Sequence, residues 1–217
     1  MASNVPDVWR IEQDTAAAGY DAVAGVDEAG RGPLAGPVVS AAVVLPTDFG
    51  GSGKSPGITD SKKVSPKNRC LLYDTIYTNA RSVGIGIVDV NEIDRRNILQ
   101  AALSSMAIAV SNLLPQPDFL LIDGKFPIHY PLPQKAVIKG DCLSLSIAAA
   151  SIIAKVTRDR LMVHYDKEYP AYGFAGHKGY PTKAHLSAVR RYGRCPIHRC
   201  SFNGVPGQLP LFTCDAS

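Results

Sequence analysis

The chain has 217 residues, 46% hydrophobic and 19% charged, with a formal net charge of +4. That balance excludes a chain disordered throughout, and the length suffices for one domain with its own core. No run of about 18 apolar residues is available to span a membrane; the N-terminus lacks an apolar secretory core, and five cysteines without an export signal read as reduced thiols of a cytoplasmic protein.

In chain order, residues 21–28 and 36–45 are Val-rich runs punctuated by Gly and Pro, which predicts two strands that can pair as a hairpin. Residues 46–57 read as a Gly/Ser/Pro loop. Within it, Gly50-Gly51-Ser52-Gly53-Lys54-Ser55 looks like a phosphate loop, but Asp48 stands where that pattern needs Gly, and Pro56-Gly57 follows where it needs a helix. Ser65 and Pro66 read as the cap and first-turn residue of a helix to about Ala80. Residues 83–90 predict a strand. Residues 91–113 predict one long helix, because Ile93, Leu99, Leu103, Met106 and Val110 recur near helical spacing. Short strands follow at 119–122 and 135–138, then helices at 144–169 and 182–192. Strands first, then strands interleaved with helices, predict an α/β fold with a mixed sheet flanked by helices.

Over residues 155–200, ten Lys/Arg face three Asp/Glu, whereas the remainder holds thirteen against sixteen. A basic C-terminal third beside a mildly acidic body suggests a polyanion-binding surface; a solvated helix face is the plainer reading. Cys195, His198 and Cys200 are three potential zinc ligands, but a structural site wants four, so buried free thiols are the simpler reading, for Cys70 and Cys142 as well.

Carboxylates carry the chemistry. Asp27-Glu28 close one apolar run and Asp123 closes another, each near a glycine. Strand interiors deplete acids, and acids at strand ends converge at the sheet edge where α/β proteins place their sites. Ser151, Lys155 and Asp159 share a helix face at i, i+4, i+8; Asp141 is placed for a helix cap. Clustered carboxylates repel unless a cation lies among them, and oxygen-only ligands favour Mg²⁺ or Mn²⁺. Two such ions about 3.5–4 Å apart serve phosphodiester hydrolysis. Turn or cap roles for these acids are the alternative.

The run Gly25-Val26-Asp27-Glu28-Ala29-Gly30-Arg31-Gly32-Pro33-Leu34-Ala35-Gly36-Pro37-Val38 resembles the type 2 ribonucleases H, specifically bacterial ribonuclease HII. The resemblance continues through Asp60-Ser61-Lys62-Lys63, Leu121-Ile122-Asp123-Gly124, Lys139-Gly140-Asp141, Lys155-Val156-Thr157-Arg158-Asp159, Gly176-His177-Lys178-Gly179-Tyr180 and His198-Arg199-Cys200-Ser201-Phe202, covering about 20–205. It implies a single domain with a ribonuclease H-like fold and a C-terminal helical portion. It implies a catalytic and metal-binding quartet of Asp27, Glu28, Asp123 and Asp159, with Mg²⁺ or Mn²⁺ as cofactor. The implied activity is cleavage of RNA in RNA–DNA hybrids and incision on the 5′ side of single ribonucleotides in duplex DNA, leaving 3′-hydroxyl and 5′-phosphate ends. Three positions depart from the family's usual residues: Lys125, Val64 and Cys200.

The resemblance makes Gly30, Arg31 and Gly32 the ribose-reading loop and Tyr180 the residue at the RNA–DNA junction. Glycines let the backbone approach the minor groove, and a ring stacks on a sugar. Lys62, Lys63, His177 and Lys178 are expected phosphate contacts. A non-catalytic nucleic-acid binder is disfavoured by the complete quartet, and a nuclease for plain RNA or DNA by the Gly-Arg-Gly loop with Tyr180. Residues 206–217 are too rich in Pro and Gly to fold alone. Within them, Gln208, Leu209, Leu211 and Phe212 resemble the peptide that docks on the sliding clamp; packing on the protein's own surface is the alternative.

Overall fold

The computed structural model of the chain describes residues 8–49, 58 and 64–206. The two Val-rich runs form β1 (Val23–Ala29) and β2 (Val38–Val44), an antiparallel hairpin with Ala29 opposite Val39. β3 (Ser82–Val88) adds to β2 antiparallel, and β4 (Phe119–Asp123) and β5 (Gln134–Val137) add parallel beyond β1, giving the order β3-β2-β1-β4-β5. The sheet is mixed, as predicted: hairpin strands turn back at once, while parallel neighbours need longer connections.

Helices cover both faces. Strand alternation sends Ala24, Val26, Leu120 and Ile122 to one face, against Met106, Ala109 and Val110 of α4 (Ile98–Ser111). Ala41 and Val43 point the other way, into a cluster with Ala149, Ile152 and Ile153 of α5 (Leu145–Glu168), backed by Ile76 of α2 (Pro66–Asn79). Glycines set how closely these layers approach. A Cβ on Gly86 would overlap the α4 backbone at Ser105, and one on Gly25 would overlap the Ser146–Ile147 peptide of α5. Ser65 caps α2 as expected, accepting from the Asn68 amide at 3.3 Å.

Three features differ from the sequence expectation. The helix expected over 91–113 is two, α3 (Val90–Arg96) and α4, broken at Asn97. Asn97 takes φ 71°, and its side-chain oxygen accepts from the amides of Leu99 and Gln100 at 3.0 and 3.1 Å. The amphipathic spacing runs across the break because both helices bury the same side, and periodicity does not register a cap. The cap of α5 is Ser144, which accepts from the Ile147 amide at 3.2 Å; Asp141 lies instead in a single 3₁₀ turn, Gly140–Cys142. Finally, α1 (Arg10–Ala17), absent from the sequence reading, lies against the start of α5. The buried Glu12 Oε1 accepts there from Ser144 Oγ at 2.6 Å and from the Ser146 amide and hydroxyl at 3.0 and 2.7 Å. A carboxylate is favoured at a helix N-terminus.

The C-terminal helical portion comprises the outer half of α5, a 3₁₀ turn (Pro170–Tyr172), α6 (Phe174–His177) and α7 (Lys183–Tyr192). These close around Met162, Tyr172, Phe174, Val189, Cys195 and Ile197, with Ala35 of the β1–β2 connection among them. Among the described residues no helix is long and apolar enough to cross a membrane. The phosphate-loop look-alike at 50–55 lies outside the described residues, as do Lys62, Lys63, Gln208, Leu209, Leu211 and Phe212.

Candidate active site

Parallel pairing aligns Val26 with Ile122, so Asp27 and Asp123 follow at matching ends of adjacent strands. Both leave the sheet on the α5 face, because Gly25 and Leu121, two residues earlier, also face α5. Glu28, one residue on, turns to the opposite face. There it lines a cleft with Lys125, Phe126 and Met106, which Asp123 borders from the end of β4. The adjacent acids thus straddle the end of β1.

Asp27 is 5% exposed. Burial, then the charges of Glu28 and Asp123, push its carboxyl well above the usual range; a hydrogen bond from the Ser151 side chain partly offsets this. Its Oδ1 also accepts from the Glu28 amide at 2.7 Å. Burial raises Glu28 too, opposed by Arg31, whose Nη1 lies 3.1 Å from Glu28 Oε1. Asp123 Oδ1 accepts from the Gly140 amide at 2.7 Å. Acids that raise one another in this way favour a hard divalent cation between them, and the donor set is all oxygen. The residues therefore fit Mg²⁺ or Mn²⁺.

Asp159 shares the α5 face predicted for it with Ser151 and Lys155. Its Oδ1 is held by Lys155 Nζ at 2.7 Å and its Oδ2 lies 3.9 Å from Arg69 Nη1. The structure thus brings Asp27, Glu28 and Asp123 within one another's field while cations hold Asp159. Among the described residues the side chains as they stand do not gather three or more His, Cys, Asp or Glu around one point, so the fit to a divalent ion is one of donor chemistry.

The Gly30-Arg31-Gly32 loop adjoins these acids. Gly30 has φ 101° and is buried, while Arg31 and Gly32 are exposed. A Cβ on Gly32 would stand 3.7 Å from Tyr180 Cε1, so the Tyr180 ring, 41% exposed, lies beside the loop. Lys155 Nζ is 5.9 Å from the centroid of that ring. His177 is engaged by the fold: Nε2 bonds the Tyr172 carbonyl at 2.8 Å, Nδ1 accepts from the Gly179 amide at 3.2 Å, and the ring stacks on His185 with centroids 4.4 Å apart. Lys178 Nζ donates to the Ala175 carbonyl.

Two residues of the site region escaped the sequence reading as individuals. Arg158 and Arg199 are fully buried, 1% and 0% exposed, and bond the backbone around the glycine loop. Each lies inside a quoted motif, but an arginine carries no periodic signal that distinguishes burial from a surface charge. The cysteine expectation needs correction. Cys70 is exposed on α2 and Cys142 and Cys200 are half-buried, so of the described cysteines only Cys195 is buried. Cys195 Sγ lies 3.1 Å from His198 Nδ1. Burial pushes the Cys195 thiol up to about 11 and His198 down to about 4, so the pair is neutral.

Comparison with known proteins places the chain in a family. Residues 24–205 match the sequence model of the family described as Ribonuclease HII. A protein named Ribonuclease HII from Geobacter sulfurreducens is 53% identical over 211 residues, covering 96% of this chain and 94% of its own. Among solved structures, the ribonuclease H2 from Pyrococcus horikoshii aligns with a TM-score of 0.72 at 28% identity, over 85% of this chain and 95% of that one. The structure of a PCNA:RNase HII complex from Archaeoglobus fulgidus aligns with a TM-score of 0.65 at 26% identity, over 90% and 99%.

Proposed function

The chain belongs to the ribonuclease HII family, metal-dependent ribonucleases H that act on RNA–DNA hybrids, and from that premise we propose that it is the endonuclease that incises 5′ of single ribonucleotides in duplex DNA. The cut leaves 3′-hydroxyl and 5′-phosphate ends and begins ribonucleotide removal during DNA replication and repair in the cytoplasm. The observation that carries this reading is one juxtaposition: buried Asp27 and half-buried Asp123 at the ends of β1 and β4, beside a glycine loop exposed at Arg31 and Gly32, with the Tyr180 ring next to Gly32.

Asp27, Glu28, Asp123 and Asp159 would hold Mg²⁺ or Mn²⁺, two ions during catalysis. When bound, the ions supply electrostatic stabilisation of charge developing on the phosphoryl oxygens. The chain's own residues choose and place the substrate. Backbone groups of Gly30, Arg31 and Gly32 approach the minor groove, where a 2′-hydroxyl both donates and accepts. Tyr180 lies against the neighbouring sugar and excludes water from it. Arg31, paired with Glu28 in the free protein, can turn to a phosphate. Lys155, paired with Asp159 at 2.7 Å in the free protein, can turn to a phosphate in the same way. Lys62 and Lys63, and His177 and Lys178 once released from their backbone bonds, add affinity without sequence choice.

The test is a DNA duplex carrying one ribonucleotide, run with Mg²⁺ or Mn²⁺ beside all-DNA and all-RNA duplexes. Cleavage of the first alone, 5′ of the ribonucleotide, is expected. Equal cleavage of all three, or of none, would overturn the assignment. We further propose that Gln208, Leu209, Leu211 and Phe212 dock on the sliding clamp, a reading supported by the clamp complex of the Archaeoglobus relative. Clamp binding no stronger than that of the Leu211→Ala/Phe212→Ala variant would remove it.

A further inference from the structure

Between β1 and β2 the chain runs from Gly30 to Pro37, and its carbonyls are occupied in an unusual way. Arg199 donates to the carbonyls of Gly30 (2.6 Å), Arg31 (3.1 Å), Pro33 (2.8 Å) and Gly36 (2.7 and 3.0 Å). Its own amide donates to Leu34 O at 2.8 Å. Arg158 donates to Ala35, Pro37 and Lys178, each at 3.0 Å. Every carbonyl from Gly30 to Pro37 except that of Gly32 is thus taken by one of two arginines. Both guanidinium groups are buried, and among the described residues neither makes an ion pair with a carboxylate. Burying an unpaired charge is costly, and several carbonyl dipoles converging on it offset that cost.

The arrangement fixes where the amides go. In a trans peptide the C=O and the following N–H point in opposite directions. The carbonyls of Gly30 and Arg31 both turn inward to Arg199, so the amides of Arg31 and Gly32 both turn outward. Neither amide donates to a described residue, and both residues are exposed. Two successive outward amides form a concave donor pair suited to an oxygen-rich ligand. The same arginines lock this pair against Tyr180. Arg158 bridges Ala35 and Lys178, and the Leu34 amide donates to Gly179 O at 2.8 Å. On the other side, the Gly36 amide donates to Ile197 O at 2.8 Å.

We infer that Arg158 and Arg199 are positioning residues for ribose discrimination: they aim the Arg31 and Gly32 amides at the sugar–phosphate of the ribonucleotide and hold Tyr180 in register with them. The inference rests on the proposed incision at single ribonucleotides. It assigns the selectivity to two side chains that touch no substrate. A lysine at either position keeps the charge, but a single ammonium cannot span carbonyls so far apart.

Two measurements on the full chain in metal-free buffer test it. In the first, exchange of individual amides is followed in the unaltered protein. The Arg31 and Gly32 amides should exchange freely and be slowed about tenfold or more by a duplex with one ribonucleotide, but not by its all-DNA counterpart. Protection of both amides in the free protein would overturn the inference, whether or not any variant folds. In the second, Arg158→Lys and Arg199→Lys are checked by circular dichroism and thermal melting, then titrated with both duplexes. The preference for the ribonucleotide duplex should fall about tenfold, with all-DNA affinity within about twofold of the parent. A purely structural role predicts a lower melting temperature and an unchanged preference in the folded fraction, and that result refutes the inference. If the parent protein itself shows no preference for the ribonucleotide duplex, the proposed function fails instead; free exchange of the two amides would still support their outward aim.

Discussion

At the scale of single residues, the acids differ in what holds them, and their substitutions should be read accordingly. Asp27→Asn, Glu28→Gln and Asp123→Asn each keep the shape and lose the charge. Each should lower cleavage by about a hundredfold or more while leaving duplex binding in metal-free buffer intact. Near-parental turnover in a well-folded variant would remove that residue from the site. Tyr180→Phe or Tyr180→Ala should harm incision at an isolated ribonucleotide more than cleavage within a long RNA–DNA hybrid, since the ring beside Gly32 is proposed to meet the sugar at the junction; equal losses on both substrates would refute the selective role. That these acids come together and that Tyr180 lies beside the glycine loop was legible in the sequence, because an acid is out of place in an apolar strand and because the motifs resemble a family. Arg158 and Arg199 were not, since a buried arginine satisfied by carbonyls has the same sequence appearance as one in solvent. Nor was the pairing of Glu28 with Arg31, which depends on rotamers, whereas Lys155 and Asp159 stood on one helix face by their spacing.

At the scale of elements, the site owes its geometry to contacts between layers with no room for a side chain. Gly25→Ala would force α5 off β1 just where Asp27 meets Ser151. It should destabilise the fold by about 2–4 kcal/mol and cost activity in whatever fraction remains folded. A denaturant titration measures the first, and a loss below about 0.5 kcal/mol would mean that α5 does not rest on that strand. Most strands and helices were legible because β-branched runs and 3.6-residue spacing are local signals. The break at Asn97 was lost because the spacing continues through it. α1 was lost because eight residues anchored mainly through Glu12, with Ile11 packed against Leu121 and Ile147, carry little pattern. Its main polar partner lies more than 130 residues away, at the start of α5.

For the whole molecule, acid should loosen the C-terminal portion before the sheet. His185 Nδ1 bonds Tyr180 O at 2.9 Å and His185 Nε2 bonds His198 Nε2 at 3.1 Å, while His198 Nδ1 accepts from the Cys195 amide at 2.9 Å. Burial first, then His185, depresses His198 from 6.5 to about 4, and burial lowers His185 in the same sense. The folded state therefore binds fewer protons here than the unfolded one. This stability is present above pH ~6.5 and is lost as the pH falls toward 4, by at most ~3 kcal/mol. Asp27 and Glu28, raised by burial, act in the opposite direction, so the comparison is between the parent protein and His198→Asn. The parent should show the steeper loss on acidification in urea titrations, and parallel curves would exclude the histidine. The surplus of basic residues over 155–200 was legible as a count, but its surface was not, because Arg158 and Arg199 are turned inward. That inward turn also sets a timetable for synthesis. Arg199 is made 168 residues after Arg31, whose carbonyl it holds. A nascent chain already carries its acids and glycines while the loop after β1 still lacks the arginine proposed to shape it for ribose. Chains arrested before Arg199 and then released should bind a ribonucleotide-bearing duplex no better than its all-DNA counterpart, so the proposed preference is among the last properties that translation completes.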